Sequence, residues 1–208
     1  MDPTPDTLNC PAFPICSASG DSKPTPPVER EGNYRWSYAY GEGRTSLVED
    51  ATRCAAMLDP TEKNGRKVLE SALERVGGFA GLHSEDRQEY PGLWYPRFLK
   101  NVPEEEHLTL IEELHKTEGI TFAAPLLIYG KANAIPRPEI IVTFDADAQR
   151  EDLLHILSQP DLRLIREFPS IDTTYHLSFD GSPAECFTRC DELTDLEAVY
   201  VAEPNMIW

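Results

Sequence analysis

Between residues 139 and 202 the apolar positions switch between a two-residue period and one of roughly 3.6 residues, and the order of the switches leaves few folds open. EIIVTFD (139–145) sets Ile140, Val142 and Phe144 on one face of a strand. QREDLLHILSQ (149–159) predicts a short helix that buries Leu153, Leu154 and Leu157. DLRLIREF (161–168) alternates Leu162 and Leu164, and TTYHLSFD (173–180) puts Tyr175, Leu177 and Phe179 on one side. SPAECFTRCDEL (182–193) opens with Ser182 as N-cap and Pro183 at the first helical position, then buries Ala184, Phe187 and Cys190. LEAVYVA (196–202) closes the series with Val199 and Val201 inward. The order is β-α-β-β-α-β, that of the split ferredoxin-like unit, an antiparallel sheet of four strands with two helices on one face. An α+β fold is expected, preceded by a partly helical N-terminal region.

Upstream the signals are weaker. Residues 1–33 concentrate Pro, Ser, Thr and Asp around few apolar anchors and predict a disordered arm. Residues 34–133 form a separate N-terminal α/β region ahead of a domain at 134–208. Within it, NYRWSYAY (33–40) reads as a short strand or docking patch. Residues 46–58 have helical spacing through Val48, Cys54, Met57 and Leu58. So do residues 66–76, through Val68, Leu69, Leu73 and Val76, with Gly77-Gly78 as the stop. LWYPRFL (93–99) reads as an edge strand, since its proline supplies no ladder donor. VPEEEHLTLIEELHKTEG (102–119) is a helix with the stripe Leu108, Ile111 and Leu114, and ITFAAPLLIYG (120–130) a strand broken by Pro125. Residues 98–122 align loosely with residues 142–168, so this region reads as a degenerate half-module.

Charge and motif content narrow the function classes. The formal net charge of −17 repels phosphate, which disfavours nucleic acid and anionic membranes as partners. No basic segment followed by an apolar one opens the chain, and no apolar run approaches the roughly 18 residues of a membrane span. Cytoplasmic residence is expected as encoded, or secretion if the chain is a fragment of an exported precursor. Five cysteines in a long chain do not make a disulfide framework and fit a reducing compartment. Cys10 and Cys16 fall in the arm; Cys54, Cys186 and Cys190 read as small buried hydrophobes. No G-x-S-x-G, H-E-x-x-H, P-loop or C-x-x-C occurs, and GEGRTS (41–46) follows no βα unit, so no catalytic residue, cofactor or metal is expected. Cys186 and Cys190 supply at most half a metal site, which leaves a metal- or small-molecule-binding domain as a third reading. His107 and His115 are expected to be solvated or capping, and His176 to point off the core face.

The quoted segments, taken in order, resemble the propeptide of subtilisin-like serine proteases, the inhibitor I9 module. PEIIVTFD, LLHIL, DLRLIREFP, TTYHLSFD and LTDLEAVYVAEPN match its pattern over residues 138–205, about a third of the chain, and VYVAEPN (199–205) is the most specific piece. The resemblance implies a protein that is not itself a protease but an inhibitor and folding chaperone of a subtilisin-like protease domain, bound in cis before processing or in trans; with no catalytic motif in the sequence, no enzyme activity is expected. It implies that the open sheet face docks on the protease; here that face would carry Ile141, Thr143, Arg163, Ile165, Thr174, His176, Ser178 and Tyr200. It also implies that the exit of the last strand enters the substrate cleft by strand addition. Pro204 would end pairing within the module, Asn205, Met206, Ile207 and Trp208 would lie in the cleft with Ile207 or Trp208 as anchor, and Glu203 would cap a protease helix. The other reading is a ferredoxin-like interaction or regulatory module with no protease partner, since such folds host many roles.

Overall fold

The computed structural model describes residues 36–40, 43–82, 90–129, 131–168 and 173–208. The arm at 1–33 with its two cysteines, the start of NYRWSYAY and the first two residues of GEGRTS lie outside them. In chain order the elements are β1 (Trp36–Tyr40), β2 (Gly43–Met57), α1 (Gly65–Val76), β3 (Phe79–Gly81), β4 (Leu93–Trp94), β5 (Arg97–Phe98) and α2 (Glu104–His115). There follow β6 (Phe122–Tyr129), β7 (Ala132–Phe144), α3 (Arg150–Leu157), β8 (Leu162–Glu167), β9 (Thr174–Phe179), α4 (Glu185–Thr194) and β10 (Val199–Ile207). The fold is α+β, with four helices and a 10-stranded open antiparallel sheet among the described residues.

In the C-terminal half the strands lie in the order β10-β7-β9-β8, each pair antiparallel. Ile140, Val142 and Phe144 of β7, Leu162 of β8, Leu177 of β9 and Val199 of β10 form one core with Ile156 of α3 and with Cys186, Cys190 and Leu193 of α4. Three expected inward residues differ. Leu154 is 54% exposed, because α3 turns Ile156 to the sheet with Leu153 and Leu157 beside it. Leu164 is 46% exposed on the edge strand β8, where the ladder slips between Leu164 and Arg166. A slip between Val199 and Val201 resets the alternation of β10, so that Ala202 rather than Val201 joins the core. Helix α4 starts at Glu185, after a turn in which Ser182 N–H donates to the Glu185 carboxylate at 2.7 Å and Glu185 N–H donates to the Ser182 hydroxyl at 3.3 Å. That reciprocal pair serves as a capping box one turn ahead of the regular helix.

The N-terminal half departs further from expectation. Residues 46–58 are not helical; all but Leu58 lie in the 15-residue strand β2. Cys54, Ala56 and Leu58 face one core, Ala55 faces another, and all four are buried. A strand covered on both sides loses its polar alternation, and small residues such as Ala and Cys then read as a helical run. The ladder also slips between Glu49 and Cys54, where the Asp50 carboxylate accepts the Thr52 N–H and hydroxyl. Pro125 does not break β6: it pairs across from Cys54 inside the strand. Residues 93–99 form the two short strands β4 and β5 on either side of Tyr95-Pro96.

The strand order here is β3-β5-β2-β6, with α1 after β2 and α2 after β5. All the elements of the C-terminal half therefore recur in the same sequence and adjacency: β2, α1, β3, β5, α2, β6 against β7, α3, β8, β9, α4, β10. The N-terminal half is a full copy rather than a half-module, and α2 corresponds to α4 rather than to α3. An ungapped match follows, setting EHLTLIEELHKTEGITFAAPLLIY (106–129) on ECFTRCDELTDLEAVYVAEPNMIW (185–208). Glu106/Glu185, Thr109/Thr188, Leu114/Leu193, Ala123/Ala202, Pro125/Pro204 and Ile128/Ile207 are identical. The cores match as well: Cys54, Ile111, Leu114, Ile120 and Ala123 occupy the places of Ile140, Cys190, Leu193, Val199 and Ala202, and the pairs Arg53–Arg97 and Glu139–Ser178 set Phe98 on Phe179.

Candidate docking face and C-terminal strand

In the second unit the helices cover one sheet face, and the register sets the residues of the other. Ile141 stands across from His176, and Thr143 across from Thr174, with hydroxyl oxygens 3.1 Å apart. Arg163 pairs with Ser178, whose hydroxyl donates to the Arg163 carbonyl at 3.4 Å. Ile165, 47% exposed, falls in the slip of β8. On the other side of β7, Glu203 faces Ile141, and Val201 faces Thr143. The sequence-derived face is thus contiguous in the sheet except at Tyr200, which lies in the β10 slip and faces no β7 residue.

A buried polar cluster, not anticipated from the sequence, ties this face together. The His176 ring is buried, with Nε2 2.7 Å from Glu139 Oε2; Asn205 Nδ2 donates to the same oxygen at 2.6 Å. Arg137 forms an ion pair with the second Glu139 oxygen, and Phe168 stacks over His176 at 6.3 Å. Burial pushes the Glu139 carboxyl upward, but the bonds from His176 and Asn205 and the Arg137 charge outweigh it and hold it below the usual range. Three strands contribute, so only the register reveals the cluster; the sequence carries no local signal of it.

Glu203 behaves differently. Burial alone pushes its carboxyl up to about 7. Pro204, contrary to expectation, does not end pairing. It stands across from Ile140, and β10 continues through Met206, facing Pro136, and Ile207, facing Ile135. The reason lies in which edge each amide occupies. Ala202 N–H points away from β7 and donates to Thr194 Oγ1 at 3.0 Å, and Pro204, two residues on, leaves its missing donor on that same outer edge, where no ladder bond is lost. The first unit repeats the device, with Ala123 N–H donating to His115 Nδ1 at 3.3 Å ahead of Pro125. His115 is therefore a half-buried acceptor rather than a solvated residue, its pKa lowered mainly by burial. His107, also expected at the surface, is buried and stacks on Phe98 at 3.9 Å.

No family model and no curated protein matches the sequence. Among the described residues no group of three or more His, Cys, Asp or Glu is arranged to hold a metal ion, and no helix is long and apolar enough to cross a membrane. Cys186 and Cys190 lie in the second core; the Cys186 thiol donates to the Arg137 carbonyl at 3.3 Å, and burial pushes both thiols up. Such thiols are poor metal ligands and poor nucleophiles.

Proposed function

We propose that the chain is a propeptide-like inhibitor and folding chaperone of a subtilisin-like serine protease, and is not itself an enzyme. Its second unit is read as a ferredoxin-like module, and the order β10-β7-β9-β8 with both helices on one face supports that reading. The observation that carries the proposal is the position of VYVAEPN: it forms the last strand of this sheet, beside a face that bears Ile141, Ile165 and Thr143 and no helix, with Thr174 buried beneath it. An apolar residue such as Ile165, half exposed on an edge strand, costs little in the free chain and gains when it is buried against a partner. The face docks first, and the end of β10 follows into the substrate groove as an added strand.

The test is inhibition of a purified subtilisin by the full chain. Slow-dissociating inhibition is expected, and Ile165→Asp should weaken it about 10-fold or more, the effect of removing an interface anchor. A full chain that leaves the protease fully active at micromolar concentration rejects the proposal. A second reading, an interaction module with no protease partner, is favoured by one observation: Glu203 to Ile207 are already paired to their own sheet. That reading requires the same assay to be negative.

A further inference from the structure

The end of β10 is gripped mostly from outside its own unit. Met206 and Trp208 pack into a cluster with Trp36, Tyr38, Leu47 and Leu127, while Ile207 packs against the cluster of Leu93, Tyr95 and Leu126. The Trp208 ring meets Tyr129 edge-on, with 5.8 Å between centroids, and the Trp208 carbonyl accepts the Tyr90 hydroxyl at 3.2 Å. These partners belong to the first unit or to the β1–β2 hairpin, and the same clusters also take in Ala134, Ile135, Ala184 and Phe187 of the second unit. The ladder to its own unit is poor over the same residues. Its register slips between Pro204 and Met206, and Met206 faces Pro136, which, like Pro138, has no N–H to give. Backbone pairing to the second unit is thus interrupted where side-chain packing against the first begins, though it resumes at Ile207.

We propose that the first unit is a clasp for the segment Met206–Trp208 and sets how readily that segment reaches a partner's groove. The proposal rests on the protease reading for the identity of the groove, and on the contacts above for the clasp. The same side chains cannot fill the seam and a groove together. Affinity through the tail is therefore reduced by the fraction of molecules in which the clasp is closed, and loosening the clasp tightens binding. The internal repeat accounts for the fit: Tyr129 is the residue that matches Trp208, so the ends of the two equivalent strands meet ring to ring.

The test uses the full chain and the double variant Tyr90→Phe with Tyr129→Ala. Both rings lie at the rim, Tyr129 being 53% exposed, so the fold is retained. A second variant, Trp208→Ala, removes the other side of the contact. With no protease present, amide exchange at Asn205 to Ile207 is expected to quicken about 10-fold in both variants, while exchange in α3 stays unchanged. Unchanged exchange at these amides in both variants overturns the clasp. In the inhibition assay the double variant is expected to inhibit more tightly than the unmodified chain; weaker inhibition overturns the clasp as a regulator. Faster exchange with no inhibition by either protein supports the clasp and rejects the protease reading, so the two failures are distinguishable.

Discussion

Glu203 and His115 are half-buried ionisable side chains whose titrations push stability in opposite directions. The folded chain keeps the Glu203 proton up to about pH 7, whereas the unfolded chain releases it near the ordinary value of 4.5. Between those values the folded state binds more protons, so stability falls as pH rises, at about 1.4 kcal/mol per pH unit and by up to about 3 kcal/mol in all. Glu203→Gln should therefore raise the urea midpoint at pH 8 and leave it nearly unchanged at pH 4; an equal effect at both pH values would mean that burial is not what perturbs this carboxyl. His115 has its pKa lowered from 6.5, chiefly by burial, and its neutral ring accepts the Ala123 N–H. Its contribution is present above 6.5 and is lost as pH falls below that value, because the unfolded chain then takes up the proton first. Neither residue is legible as perturbed from sequence. Glu203 falls in a motif that reads as a tail, and the role of His115 depends on a strand eight residues away.

Elements of the second unit are legible because each strand there has one face on the helices and one face off them, which keeps the two-residue period visible in Ile140, Val142 and Phe144. Strand β2 hides that period by burying both faces and by slipping its register near Asp50. The ends of β10 and β6 depart from expectation for a single reason, that an edge-strand proline terminates a strand only when its missing N–H would have faced the ladder. Helix starts are a further contrast between the repeats. At α4, Ser182 and Glu185 cap one another; at α2 the matching residues are Pro103 and Glu106, and Pro103 has neither an N–H nor a hydroxyl. Ser182→Ala should cost about 1 kcal/mol in chemical denaturation, the usual worth of such a cap. Glu185 strengthens the expectation, since the Ser182 N–H and hydroxyl hold its carboxyl below the usual range. A substitution with no effect would mean that the turn before α4 is held by packing of Ala184 and Phe187 alone.

At the scale of the whole molecule, the seam between the units decides whether they fold separately or as one. It is not a polar linker surface. Leu47, Leu127 and Ala134 are buried there together with Ala184, just ahead of α4, and Phe187 of α4, and the Phe187 ring lies against Trp36 at 5.1 Å between centroids. Strands β6 and β7 pair across it at Leu127–Ala134, which makes the sheet continuous from one unit to the other. Each unit alone would expose this apolar face, and small domains bury too little elsewhere to tolerate that loss easily. The full chain is therefore expected to unfold in one transition, seen at the same denaturant concentration by amide protection in α1 and in α3. Leu127→Ala should lower that midpoint for both helices together, by about 2–5 kcal/mol for truncation of a fully buried leucine. Were α1 to lose protection first while α3 kept its own, the seam would be a contact between independent folds. The grip on Met206 to Trp208 would then open without disturbing the second unit, and the tail's release would depend only on the stability of the first.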